Sequence, residues 1–251
     1  MNNSFLLYRC KEILLGSLLG DGSLKIHEPY KNARFSFRHS IGQKEYFFWK
    51  VNQLKEISSE KCWWKQEPNG LGKEMLRYQS LALEPLTELY HITHDHGRLA
   101  IRRKWLNLLT PKSLAVWWLD DGSLVVHGKR GVICTDPFSL SEQKILAQYL
   151  LRVWNVKTTI GKITRSWNGT TKEYYRLWIR SSEELKKFLR IILPEVKTAS
   201  MLPKVLLLYK DSQLQQRWIS EVIEKTGFSQ EIIEKYLEEK KSRFKRFQKM
   251  I

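Results

Sequence analysis

The sequence predicts an α+β fold made from two copies of one unit, and three observations carry that prediction. First, two apolar runs end alike. Ile13-Leu14-Leu15-Gly16-Ser17-Leu18-Leu19-Gly20-Asp21-Gly22-Ser23-Leu24 and Leu114-Ala115-Val116-Trp117-Trp118-Leu119-Asp120-Asp121-Gly122-Ser123-Leu124 both close on Asp-Gly-Ser-Leu. Asp21 and Asp121 are 100 residues apart, so an internal repeat of domain size sets the architecture. Second, after each run the apolar pattern switches from a helical period to the alternation of strands. Third, one order of elements is read twice: helix, two strands, helix, two strands, helix.

Each apolar run reads as a buried helix that stops at its aspartate. Gly22 and Gly122 are expected to take a left-handed conformation beyond the helix end. Gly16 and Ala115 are small enough to let another helix come close. An aspartate in the last helical turn faces the negative end of the dipole, so the helix itself gains nothing from Asp21 or Asp121. Two such helices side by side would join both carboxylates into a pair that repels itself and holds a divalent cation.

In the first half, strands are expected at Ser23–His27 and Ala33–His39, joined by the turn Glu28–Asn32. Phe35 and Phe37 mark one face of this hairpin, and Arg34, Ser36 and Arg38 the other. A helix follows over Gln43–Lys55, with Tyr46, Phe47, Trp49, Val51 and Leu54 available for burial. Strands at Cys62–Gln66 and Met75–Ser80 flank the turn Pro68–Lys73, and Glu84–His91 reads as a short helix. In the second half the motif helix covers Pro111–Asp121. Strands follow at Ser123–Val126 and Val132–Thr135 around the turn His127–Gly131. A helix runs from Glu142 to Trp154 with Ser141 as its cap. Strands at Thr158–Ser166 and Glu173–Arg180 flank Trp167–Thr170, and a helix starts at Ser182-Glu183-Glu184. The divisions that result are 1–97, a basic linker at 98–110, 111–227, and a basic tail at 228–251, which looks helical and could lie on phosphates, though a solvated terminus is the simpler reading.

Lys plus Arg number 43 against 26 Asp plus Glu, a formal net charge of +17. That excess points to a polyanion, most simply nucleic acid. The basic residues are spread along the chain and interleaved with aromatics, which disfavours a membrane surface as the partner. Cys10, Cys62 and Cys134 are scattered and form no Cys-x-x-Cys pair, so neither a disulfide framework nor a zinc site is expected. This suits an intracellular protein, in prokaryotic cytoplasm or an organelle matrix or stroma, and not a secreted one. Arg9, Lys11 and Glu12 interrupt the N-terminal apolar residues, so no secretory signal is visible.

The two motifs resemble those of the LAGLIDADG homing endonuclease family in its single-chain, two-motif form. Leu14–Gly22 and Leu114–Gly122 are the matching stretches, and Thr110-Pro111-Lys112-Ser113 resembles the family's entry to its second copy. The resemblance implies two αββαββα subdomains about a pseudo-two-fold axis, packed through the motif helices, with antiparallel sheets forming a saddle over DNA. It also implies Mg²⁺-dependent hydrolysis of both strands of a long, non-palindromic site, leaving short 3′ overhangs. Mn²⁺ would substitute for Mg²⁺, and one chain would occupy the DNA as a monomer. The alternative is a splicing maturase that binds intron RNA on the same fold, and one protein can do both.

In that family the eighth motif position binds metal, which maps to Asp21 and Asp121, with the carbonyls of Gly20 and Asp120 beside them. Asp120 has Gly20 as its counterpart, so its side chain is not required twice. It reads as a carboxylate that either supports the site from behind or is simply solvated. The resemblance also places basic residues around the reacting phosphates. Arg98 falls at one such position and Lys204, in Met201-Leu202-Pro203-Lys204, at the other. An ordinary surface charge is the competing reading for each, and the high pKa of arginine makes Arg98 a poor proton donor. His39 and Gln43 follow the first hairpin where the family keeps polar residues near its water network, and Asp136 takes the comparable place in the second copy. Arg34, Ser36, Arg38, Lys65, Arg77, Lys129, Arg130, Arg165, Arg176 and Arg180 are the expected nucleic-acid contacts. His91-x-x-His94-x-His96 fits no strong zinc spacing and reads as a polar loop. Trp63-Trp64 and Trp117-Trp118 read as core.

Overall fold

The structure, a computed structural model, describes residues 3–68, 74–125 and 128–244. Most of the expected turn at 68–73, Val126 and His127 of the second hairpin, and Lys245, Arg246 and Lys249 of the tail lie outside the described residues. The chain divides into two compact units, Met1–Asp120 and Asp121–Ile251. The division falls inside the second motif and not ahead of it at Pro111, because that helix packs against the first.

The first unit runs α1 (Asn3–Leu19), β1 (Gly22–Ile26), β2 (Ala33–Ser40), α2 (Lys44–Gln53), β3 (Trp63–Gln66), β4 (Met75–Gln79), α3 (Glu84–Thr93), β5 (His94–Asp95), β6 (Arg98–Leu99), α4 (Arg103–Leu106) and α5 (Pro111–Asp121). Helix α1 is buried at Ile13, Leu14, Leu15, Ser17, Leu18 and Leu19, as a helix apolar on every side must be. A side chain at Gly16 would overlap the Ser113 carbonyl and lie 2.9 Å from Val116 Cβ. That glycine is what allows α5 to come so close. Glu12 holds the other end of this contact, accepting from Thr110 Oγ1 at 2.6 Å and Lys112 Nζ at 2.9 Å.

Helices of this unit cover one face of an antiparallel sheet ordered β1-β2-β4-β3. Strand β2 alternates as its sequence demands: Phe35, Phe37 and His39 are buried, while Arg34, Ser36 and Arg38 point away from the core. Gly22 belongs to β1 and Gly122 opens a strand of the second unit; neither has positive φ. The expected left-handed caps are therefore absent. Gly22 answers a packing need instead, since a Cβ there would lie 2.7 Å from the Ser17 carbonyl oxygen and 2.8 Å from the Phe35 ring.

Two aromatic pairs part company. Trp117 and Trp118 are fully buried, but Trp63 and Trp64 are each 43% exposed. Among the described residues their strand, β3, is an edge paired only to β4, and its residues are exposed or half-buried. The histidine stretch is no loop. His91 belongs to α3, and His94 opens β5 with its ring stacked on Tyr90 at 4.3 Å. Nor is the basic segment after it a bare linker, because α4 buries Trp105 and Leu106.

The second unit runs β7 (Gly122–Val125), β8 (Arg130–Ile133), α6 (Leu140–Trp154), β9 (Thr159–Trp167), β10 (Thr170–Ile179), α7 (Ser182–Ile192), α8 (Ser212–Thr226) and α9 (Gln230–Ser242). Its sheet is ordered β7-β8-β10-β9, the same order as the first. Ser139, not Ser141, caps α6: a capping box joins Ser139 to Glu142. Asn168 and Gly169, at φ 46° and 75°, close the β9–β10 hairpin in the left-handed region that a two-residue turn requires. The tail is not simply solvated. Helix α9 starts from a Ser229 cap and buries Ile233, Leu237 and Lys240 on one stripe.

Candidate active site

The turn that ends α1 presents Asp21, and β2 brings His39 to it from the sheet. His39 Nδ1 lies 3.4 Å from Asp21 Oδ2, and Nε2 lies 3.8 Å from Asp120 Oδ1 at the end of α5. One ligand atom each from Asp21, His39 and Asp120 falls within 4.8 Å of the others. The imidazole is 1% exposed, whereas the Asp21 side chain is 40% exposed and open to solvent.

Asp120 is not solvated; its side chain has no exposure. Lys50, equally buried on α2, donates to Oδ2 at 3.0 Å and to Oδ1 at 3.2 Å. Tyr46, one turn earlier, donates its hydroxyl to Oδ1 at 2.9 Å, and the Asp21 N–H approaches Oδ2 at 3.3 Å. Burial and then the Asp120 charge push the Tyr46 hydroxyl well above its ordinary range, so it stays protonated and donates. A Cβ on Gly20 would lie 2.5 Å from Asp120 Cβ. Glycine at the first motif copy thus makes room for aspartate at the aligned position of the second. Sequence reading missed Lys50. The available signal was its place four residues after Tyr46, on the stripe with Phe47 and Leu54 that the helix buries.

Asp121 introduces the second unit. Its carbonyl accepts from the Cys134 N–H at 3.0 Å. Burial raises the Cys134 thiol, which also feels the charges of Arg176, Asp121, Asp136 and Lys204. Asp136 takes a two-pronged bond from Arg176, Nε to Oδ1 at 2.6 Å and Nη2 to Oδ2 at 2.8 Å, with Arg165 at 3.0 Å. The Arg176 guanidinium holds the Asp136 carboxyl below the usual carboxylate range.

The remaining expected residues are scattered. Arg98 lies on β6, exposed and registered opposite Asp95. Gln43 sits in the 3-10 turn before α2, where Oε1 accepts from Ser40 Oγ at 3.4 Å. Lys65 pairs with Glu74 at 2.7 Å and Glu67 at 3.2 Å. Arg180 Nε donates to Thr159 Oγ1 at 3.0 Å. Lys129 and Arg130 are exposed around the β7–β8 turn. On the first sheet's outer face Arg38 stands opposite Arg77, and Lys25 opposite Arg34. On the second sheet Arg165 stands opposite Lys172. Like charges directly across strands repel, so each outer face is a surface that an anion would relieve.

A family model described as the LAGLIDADG DNA endonuclease family matches residues 11–188, and the chain belongs to that family. Protein RecA of Mycobacterium gastri is 32% identical over 156 residues, 55% of this chain and 35% of that protein. The match thus spans about a third of that relative's length. DNA endonuclease I-ChuI of Chlamydomonas applanata is 27% identical, covering 61% of this chain and 77% of that one. Cytochrome b mRNA maturase bI2 of Debaryomyces hansenii is 24% identical, covering 74% and 71%. The solved structure of the homing endonuclease I-WcaI bound to its DNA recognition sequence shares the fold, with a TM-score of 0.66 at 20% identity over 80% of this chain and 87% of that one. No helix among the described residues is long and apolar enough to cross a membrane.

Proposed function

From membership of the LAGLIDADG DNA endonuclease family, we propose that the chain is a site-specific endonuclease that hydrolyses both strands of a long, non-palindromic DNA site with Mg²⁺, for which Mn²⁺ substitutes. One observation carries this reading: a solvent-facing carboxylate, Asp21, is held beside His39 and Asp120 at the end of the first motif helix.

The donor set fits a divalent cation. Asp21 gives the cluster its open carboxylate, and carboxylate and carbonyl oxygens suit Mg²⁺ and Mn²⁺. Because Lys50 and Tyr46 occupy the Asp120 side chain, the reading assigns the cation to Asp21 and Asp121, with the main-chain carbonyls of Gly20 and Asp120. When bound, such an ion offsets phosphate charge and lowers the pKa of its water. The chain's own residues do the rest. His39 orients the Asp21 carboxylate. Lys50 cancels the charge of Asp120, so that carboxylate adds no net repulsion toward an approaching phosphate. Lys204 and Arg98 offset charge on the reacting phosphate, and Asp136 holds Arg176 ready for the backbone. Arg34, Ser36, Arg38 and Arg77 on one outer face, and Arg165 and Arg176 on the other, meet the DNA. Unlike faces on one chain need no palindrome, so one monomer occupies the site.

The test is selection from a random duplex library with Mg²⁺, followed by sequencing of the cut ends. One long site, cut on both strands by wild type and left whole by Asp21→Asn, is the expected result. No enrichment at any protein concentration refutes the endonuclease. The maturase relative favours a second reading, intron RNA binding, in which Asp21→Asn and Asp121→Asn leave splicing intact.

A further inference from the structure

After Lys204 the chain runs to Lys210 outside any helix or strand, and a stretch of that kind must have its carbonyls paired one at a time. In the second unit, side chains of two helices do this. Lys240 of α9, 7% exposed, donates through Nζ to the carbonyls of Pro203 and Leu206, at 2.6 Å each. Trp218 of α8 donates Nε1 to the Val205 carbonyl at 3.2 Å. Gln215 donates Nε2 to the Leu207 carbonyl at 3.2 Å and accepts from the Tyr209 N–H at 2.9 Å. Lys204 lies in sequence between the two residues whose carbonyls Lys240 grips.

A lysine at the end of the buried stripe Ile233, Leu237, Lys240 has no packing rationale, because burying its amine costs free energy unless the donors are used. Here they are used, on backbone that carries a residue of the candidate site. Burial, with the Arg243 charge adding to it, pushes the Lys240 ammonium down to about 7. The neutral amine still has two N–H groups, one for each carbonyl.

We propose that Lys240 is a positioning residue: by clasping the carbonyls on either side of Lys204 it sets where that lysine stands, which makes α9 part of the cleavage machinery and not a DNA-binding tail. The inference rests on the reading of Lys204 as a group that acts at the reacting phosphate.

The experiment compares wild type, Lys204→Met, Lys240→Met, Lys240→Gln and the double Met variant. Single-turnover cleavage of the library-selected duplex is measured with protein in excess, and affinity for the same duplex is measured without divalent cation. Lys240→Met is expected to slow cleavage about tenfold or more, the scale of a small misplacement, and to leave affinity unchanged. Lys240→Gln, which keeps donors for one carbonyl, recovers part of the rate. The double variant cuts no more slowly than Lys204→Met. A Lys204→Met protein that cuts at the wild-type rate sinks the reading of Lys204. A slow Lys204→Met beside a normal, folded Lys240→Met overturns the clasp alone, as does a double variant slower than Lys204→Met. If Lys240→Met does not fold, a folded Lys240→Gln with the full wild-type rate overturns it.

Discussion

Replacing Lys50 by methionine tests whether the buried pair at the candidate site is read correctly. Methionine keeps the apolar stem and loses the charge. Both side chains are without exposure, and the ammonium bonds both carboxylate oxygens, at 3.0 and 3.2 Å. The pair is shut away from solvent, so Asp120 is left as a buried charge, a loss of about 3–5 kcal/mol. Tyr46 at 2.9 Å and the Asp21 N–H at 3.3 Å still serve the carboxylate, which puts the expected loss near the lower bound, about 3 kcal/mol. Asp120→Asn strands the ammonium instead, over the faces of Phe37 at 4.4 Å and Tyr46 at 5.5 Å. Those faces return about 1–2 kcal/mol to a desolvated cation, so this variant should lose about 2 kcal/mol. The double variant has neither charge and should lose only about 1 kcal/mol, which makes the coupling about 4 kcal/mol. Urea unfolding of the four proteins followed by circular dichroism measures all of it. A Lys50→Met loss below about 1 kcal/mol, or a double variant as unstable as the sum of the singles, refutes the buried-charge argument.

On the proposed reading Asp21→Asn and Asp121→Asn should each abolish cleavage and leave DNA affinity equal or slightly tighter, since each would remove a carboxylate beside phosphate; a purified variant that still makes double-strand breaks at the wild-type rate contradicts the metal assignment. DNA binding should weaken steeply with salt because the chain carries +17; a log-log slope shallower than about −3, at roughly −0.9 per neutralised phosphate, would show too few contacts for two basic faces. Arg176 lowers the folded-state pKa of Asp136 below its ordinary value of 3.8, so its stabilisation is complete above that pH and is lost as pH falls through the lower folded value. The stability gap between wild type and Asp136→Asn should therefore narrow in acid below pH 3.8; parallel urea midpoints across that range would count against the Arg176 pairing.

Local pattern reached as far as local physics does. The alternation of Ala33–Ser40 and the capping residues of α6 and α7 are written in neighbouring residues, because strand faces and helix starts are decided there. Even so, Ser141 was the wrong serine, although the Ser139-Leu140-Ser141-Glu142 spacing of a capping box was legible. Trp63 and Trp64 could not be placed from sequence, since whether a strand is an edge depends on which strands pair. Lys50 is polar on an apolar stripe, and only the arrival of Asp120, 70 residues away, explains it. The tail misled differently. Its helix is legible, but the basic residues hid the Ile233 and Leu237 spacing that buries one face of α9.

The chemistry of the first unit follows from where the two motif copies differ, and each difference requires the next. Packing α5 against α1 sets Asp120 facing Gly20, and no residue with a Cβ fits there at 2.5 Å from Asp120 Cβ. Glycine makes room for one carboxylate beside the Asp21 N–H. A carboxylate shut away from water demands a cation and a hydrogen-bond donor. Helix α2 supplies both from one face, one turn apart, as Lys50 and Tyr46. With Asp120 neutralised, the open Asp21 is the carboxylate of the cluster left facing solvent, and His39 braces it from the sheet. Two identical copies would have put glycine opposite glycine or aspartate against aspartate. The first leaves the Lys50 ammonium buried without its carboxylate, and the second cannot be packed. The asymmetry at positions 20 and 120 is therefore what makes the close approach of the two helices compatible with a charged site at their end.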